Sequence, residues 1–240
     1  GEAPDADYRL DAFEPSDEGS DCFARIDGTP VEVHLGSPGR HLAQNMLAVL
    51  GVADLLGASA EEAAAALATW RAGKGRGERL AVPVEGGEAT LIDESYNANP
   101  ASMRAALLVL RAAEPAAGGR RVAVLGDMLE LGTSSAMLHA ELAEPVRESG
   151  ADVLFLAGTE MRALALAAGE QVEVHWHPNA SELGASLKSY LRRGDVAMLK
   201  ASKSIGFSAL VEDLTRGAPP AAPGEASPSA PAHSSVRQGA

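Results

Sequence analysis

RVAVLGDMLELG, residues 121–132, decides the fold: an apolar run of strand length breaks into a polar turn carrying Asp127 and Glu130. A strand apolar at every position has no solvent face, so it belongs to a sheet covered on both sides. The pattern recurs downstream in DVLFLAG (152–158), VEVHW (172–176) and DVAMLK (195–200). Between these runs, 134–150, 160–169 and 181–194 have the spacing of amphipathic helices, and a last helix covers about 207–215. Upstream, LAVPV and ATLIDES pair around the turn EGGE, and a helix runs from about Pro100 to Ala113. Alternating strands and helices with right-handed crossovers make an α/β domain with a doubly wound, mainly parallel sheet, Rossmann-like in the loose sense.

Outward from this domain the pattern changes. RAGKGRGE, residues 71–78, holds four charges and three glycines and has no periodicity, so a linker and domain boundary are expected at 72–78. Before it, HLAQNMLAVLGVADLLG spaces Leu42, Asn45, Met46, Val49, Leu50, Ala53 and Leu56 as one helical face. SAEEAAAALATW then opens a second helix on a Ser N-cap with acids in its first turn. YRLDAF, CFARI and VEVHL alternate in period two and read as short antiparallel strands, against the alternative of a solvated acidic arm. Residues 217–240, rich in Pro, Ala, Ser and Gly, bury too little to offset ordering entropy and are expected to be disordered.

Composition removes several function classes. The 240 residues carry 20 Lys and Arg against 33 Asp and Glu, a net charge of −13, so nucleic-acid and anionic membrane surfaces are unfavourable partners. The one cysteine, Cys22, cannot form an internal disulfide, which fits a reducing cytoplasm. No apolar run reaches the roughly 20 residues of a membrane span. Hydrophobic residues at 46% supply a sizeable core.

Open parallel sheets bind ligands beyond the carboxyl ends of their strands. Three such ends carry polar clusters here. IDESYNANPASM (92–103) crowds Asp93, Glu94, Tyr96, Asn97 and Asn99 into a strand-to-helix turn; the alternative is a turn rich in Asn and Asp for backbone reasons alone. LGDMLELG places Asp127 and Glu130 beyond the next strand, and LKASKSIGF (199–207) supplies Lys200, Ser202, Lys203 and Ser204 to an anion. The sequence contains no G-x-x-x-x-G-K-[ST], no G-x-G-x-x-G after a strand, no H-E-x-x-H and no G-x-S-x-G. His175 and His177 share one strand face, as a metal pair or a solvated edge.

PGRHLAQNMLAVLGVA (38–53), KGRGERL (74–80), LIDESYNANPASMRAAL (91–107), VAVLGDMLELG (122–132) with His139, and VAMLKASKSIGFSALVEDL (196–214) together resemble the carboxyl-terminal half of the Mur ligases. The resemblance implies that residues 1–71 end a central ATPase domain, 72–78 form a hinge, and 79–216 form the carboxyl-terminal ligase domain. It implies an ATP-dependent ligase of peptidoglycan synthesis, with ATP and Mg2+. YNANP-x-SM and LGDM-x-ELG point within the family to the addition of D-alanyl-D-alanine to UDP-MurNAc-tripeptide through an acyl phosphate. The family's P-loop and carbamylated lysine match nothing here, so the chain alone is expected to be inactive; the resemblance further implies a cytoplasmic monomer.

Residue roles follow by the same resemblance. His41 and Asn45 match the adenine-side pattern, with Leu42 in place of its first Asn. Arg76 matches a hinge arginine at the ribose or phosphates, and Asp93 an acid at the ribose. Tyr96, Asn97 and Asn99 match the segment facing the γ-phosphate and dipeptide. Asp127, Glu130 and His139 match a substrate-side string. Lys200 and Ser202 match K-G-S with Ala201 for Gly, and Lys203 stands where Arg is usual. The rival expectation is a non-catalytic binding module of the same fold that recruits a partner through its acidic amino-terminal segment.

Overall fold

A computed structural model describes residues 1–216 except 17–18, 37–38, 69 and 71–72; the expected disorder of 217–240 lies outside the described residues. The amino-terminal segment forms a three-stranded antiparallel sheet, β1 (Tyr8–Pro15), β2 (Ser20–Ile26) and β3 (Thr29–Leu35). Asp27 and Gly28, with φ of 43° and 84°, make the two-residue turn between β2 and β3, as a hairpin with both central residues left-handed requires. Alternation then puts Cys22, Ala24, Ile26, Val31, Val33 and Leu35 on one face, buried against α1 (Arg40–Leu55) and α2 (Ala60–Leu67). Burial pushes the Cys22 thiol up to about 11, so it serves as a core residue and not as a nucleophile. The acids of this segment are partly paired, Asp11 with Arg9 and Arg25, Glu2 with Arg40, and Asp21 with His34. It is a folded sheet and not a solvated arm.

The buried stripe of α1 is not the expected one. Ala43, Met46, Leu47, Leu50 and Gly51 face the sheet, whereas Val49 and Leu56 are 52% and 82% exposed. The small residues decide it: the Tyr8 ring lies 3.3 Å from where a Cβ on Gly51 would sit, so the sheet packs on the Ala/Gly side.

The second sheet has the order β4-β5-β9-β6-β7-β8. Its strands are β4 (Glu78–Val84), β5 (Gly87–Asp93), β6 (Arg121–Gly126), β7 (Val153–Ala157), β8 (Glu173–His177) and β9 (Val196–Lys200). Only β4 runs antiparallel to its neighbour. One face is covered by α3 (Pro100–Ala112), α4 (Ser135–Ala140), α5 (Ala143–Glu148) and α6 (Arg162–Ala168). The other is covered by α7 (Ala180–Tyr190) and α8 (Phe207–Leu214). This is the expected doubly wound α/β fold.

The helix expected over 134–150 is instead two helices that break at Glu141–Leu142. Pro145 has no N–H to offer the Glu141 carbonyl, so the ladder restarts there. Among the described residues no helix is long and apolar enough to cross a membrane.

Candidate functional site

The strand order does what the linear sequence could not: β5, β9 and β6 are neighbours, so their three polar ends converge at one edge of the sheet. After β5 the chain turns through Glu94–Asn99 into α3. Asn99 caps α3, its side chain accepting from the Ser102 N–H at 2.8 Å while Ser102 Oγ accepts from the Asn99 N–H at 3.0 Å. The turn is also stitched to the glycine-rich segment before β4. Gly77 N–H donates to Asp93 O at 2.8 Å, and Tyr96 N–H donates to Gly75 O at 3.1 Å. Gly75 has φ 76°, and a Cβ there would lie 2.7 Å from Tyr96 N, so the close approach requires glycine.

Beneath the turn lies a buried ion pair. Lys200 Nζ, at the end of β9, approaches Glu94 Oε2 at 3.4 Å and donates to Asn97 O at 3.0 Å, with side chains only 4% and 10% exposed. Burial pulls the Lys200 ammonium below its usual range, and the Glu94 carboxylate opposes that shift. Above it, the Arg76 guanidinium stacks 4.0 Å over the exposed Tyr96 ring, and Lys203 approaches the same ring at 5.7 Å. The facing wall is the start of α1, from which His41 and Asn45 border the same cleft of about 260 Å³. His41 is half-buried, and burial together with Lys200 holds its imidazole below the ordinary range against the pull of Glu94. A larger cleft of about 480 Å³ opens between β1 and α3 along Phe13, Leu108, Val109 and Ala112. Arg40, Arg79 and Glu114 also line it, but neither the Glu94–Asn99 turn nor Lys200 borders it.

The anticipated residues therefore divide. His41, Asn45, Arg76, Tyr96, Asn97, Asn99 and Lys200 meet in the cleft. Asp93 lies below it, 5% exposed, with Oδ1 accepting from the Ser95 N–H at 3.0 Å. The carboxylate bordering the cleft is Glu94, which belongs to the polar cluster but to no anticipated role. Asp127, His139 and Ser202 are buried as well. Burial raises the Asp127 carboxyl, opposed by the Met161 N–H that it accepts at 2.8 Å. Glu130 is exposed, in left-handed backbone at φ 65°.

The rings of His175 and His177 both stack on Phe155, at 4.6 and 6.3 Å, and His175 pairs with Glu173. Among the described residues no group of three His, Cys, Asp or Glu could hold a metal.

A protein-family profile described as "Mur ligase, glutamate ligase domain" matches residues 75–203, more than half of the chain. The chain belongs to the Mur ligase family. Among curated relatives it is 36% identical, over 203 residues, to the UDP-N-acetylmuramoyl-tripeptide–D-alanyl-D-alanine ligase of Synechocystis, a match that spans 82% of this chain and 43% of the relative. Among solved structures it superposes on MurF from Acinetobacter baumannii with a TM-score of 0.75 at 26% identity, covering 89% of this chain and 46% of that one. The fold is also that of Thermotoga maritima MurF ligase in complex with ADP, with a TM-score of 0.69 at 22% identity, covering 87% and 46% of the two chains. The chain thus spans less than half the length of the relatives it matches.

Proposed function

We propose that this chain is the carboxyl-terminal part of an ATP-dependent ligase that joins D-alanyl-D-alanine to UDP-MurNAc-tripeptide in peptidoglycan synthesis. The carrying observation is the cleft itself, where His41 and Asn45 on α1 face the Asn97–Asn99 turn and the Lys200 ammonium across one opening. The relative that bears this activity in its name is 36% identical, which favours this reading over a non-catalytic binding module of the same fold.

Within this reading the cleft residues have separate tasks. Asn45 presents an exposed amide to the adenine, and Arg76, held flat by Tyr96, meets ribose or phosphate. Lys200 supplies fixed positive charge near the transferred phosphoryl group. It also anchors the Asn97 carbonyl, so the turn is already placed when ATP and dipeptide arrive. Asn99 borders the cleft while its side-chain oxygen is committed to capping α3. A magnesium ion, when bound with ATP, would supply charge neutralisation at the phosphates. The described residues offer it no three-ligand cage and the Glu94 carboxylate sits beside an ammonium, so no step is assigned through it.

Closing the two parts over the acyl phosphate excludes water. Because Gly75 and Gly77 are hydrogen-bonded to Tyr96 and Asp93, we place the pivot of the expected 72–78 hinge upstream of Gly75. We also infer a monomer acting in the cytoplasm, where a nucleotide-linked precursor meets ATP. These 240 residues contain no G-x-x-x-x-G-K-[ST] string to hold the γ-phosphate, so alone they are expected to release no ADP. The test is mass-spectrometric detection of UDP-MurNAc-pentapeptide made by the longest reading frame that carries this chain. Product that requires ATP and D-alanyl-D-alanine supports the reading; dipeptide-independent ATP turnover, or none, refutes it.

A further inference from the structure

Three successive residues of the loop after β6 are gripped by three different elements. Asp127 accepts the Met161 N–H at the start of α6, at 2.8 Å. Met128 N–H donates to Nε2 of His139 on α4 at 2.9 Å, and the other ring nitrogen, Nδ1, lies 2.8 Å from the Ser135 carbonyl as its donor. Leu129 N–H donates to Ser202 Oγ, beyond β9, at 2.9 Å. Ser202 then closes the frame: its own N–H donates to Asp127 O at 3.0 Å, and its hydroxyl proton points to Ala98 O at 3.5 Å.

The burial of these side chains bears on their role. His139 is 0% and Ser202 5% exposed, and Ser202 is absent from the cleft wall that Ala98 helps to form. A hydroxyl that accepts from one loop and donates to another has no proton left to offer an anionic ligand. Beside it, Lys200 holds Asn97 O. Consecutive carbonyls of the cleft turn are therefore held by two residues of the same β9 end, and one of those residues is tied to the β6 loop.

We propose that Ser202, backed by His139, is a positioning residue that couples the β6 loop to the Asn97–Asn99 turn, and is not a substrate ligand. Its kinetic consequence rests on the ligase reading; its structural consequence does not. Removing the hydroxyl frees the Leu129 amide and lets the turn shift. Displacement of reacting groups by about 1 Å can lower turnover by about 100-fold.

The experiment has two arms. In the first, amide hydrogen exchange is measured by NMR on this chain and its Ser202→Ala variant. Exchange at Leu129 and across Ala98–Asn99 should accelerate together. Acceleration confined to Leu129 would overturn the coupling, whatever the protein's activity. In the second, the complete ligase and its Ser202→Ala and Ser202→Thr variants are assayed with ATP, UDP-MurNAc-tripeptide and D-alanyl-D-alanine at a temperature where each is folded. The alanine variant should lose about 10- to 100-fold in kcat with KM for the tripeptide unchanged, and threonine, which keeps the hydroxyl, should recover most of it. A lowered melt with unchanged kcat would reduce Ser202 to a structural residue and overturn the proposal. An inactive wild-type enzyme would instead refute the ligase reading, leaving the coupling to the exchange data.

Discussion

Replacing Lys200 by Met isolates the interaction that organises the cleft. The ammonium lies 3.4 Å from Glu94 Oε2, with both side chains at least nine-tenths buried. At an effective dielectric of about 20, two unit charges at that distance attract by roughly 5 kcal/mol, much of which offsets the desolvation of both ions. Methionine fills most of the lysine volume but leaves the carboxylate buried without that counter-charge, and it releases the Asn97 carbonyl held at 3.0 Å. Breaking a buried pair from one side costs about 3–5 kcal/mol. For a domain of this size that lowers Tm by roughly 10 °C. The double variant Glu94→Gln/Lys200→Met removes both charges and should regain a large part of the loss, a coupling of at least about 1 kcal/mol. Denaturant melts of wild type, both single variants and the double variant at pH 7 complete the cycle. Additive losses, or a Lys200→Met cost below about 1 kcal/mol, would show that the pair does not support the turn.

Three further outcomes are expected. Gly75→Ala should destabilise by at least about 2 kcal/mol, since left-handed strain is compounded by the 2.7 Å clash with Tyr96 N; Gly118→Ala, with φ 81° and open space around it, should lose only the strain, and equal melts would refute the close approach. Glu94→Gln, at the carboxylate that borders the cleft, should weaken ADP binding to the complete ligase several-fold, whereas Asp93→Asn should lower the melt by a few degrees and leave that affinity alone, as measured by calorimetry; the reverse pattern would support the ribose role that the family resemblance implies for Asp93. His177, whose Nε2 is buried without a partner, has its pKa lowered from 6.5 first by burial and then by His175, with Glu182 opposing. The unfolded chain therefore binds the extra proton first, and stability falls as pH drops below about 6.5. His177→Phe should flatten that slope between pH 7 and 5, and parallel stability curves for the two proteins would contradict it.

The polar ends of apolar strands were legible in the sequence because a strand buried on both faces can display polar groups only where it stops. Their convergence was not, because it depends on β9 inserting between β5 and β6, a long-range choice with no local signal. Asp93 and Glu94 could not be told apart for a related reason. Leu91 and Ile92 are both fully buried, so no alternation indicates which acid turns toward the cleft. The α1 stripe misled because Ala43 and Gly51 carry little hydrophobic weight yet allow the closest packing. For His139 and Ser202 the sequence could not separate the two roles, because a residue that grips backbone has the same chemistry as one that grips substrate. Only burial and partner geometry separate the two.

The most direct test is a crystal structure of the complete ligase with ADP bound. Expected is nucleotide density in the cleft between α1 and the Asn97–Asn99 turn, with adenine on the Asn45 side, ribose within reach of Glu94 or Arg76, and phosphates toward Lys200. ADP bound elsewhere with this cleft empty, or lodged in the larger cleft between β1 and α3, would contradict the assignment.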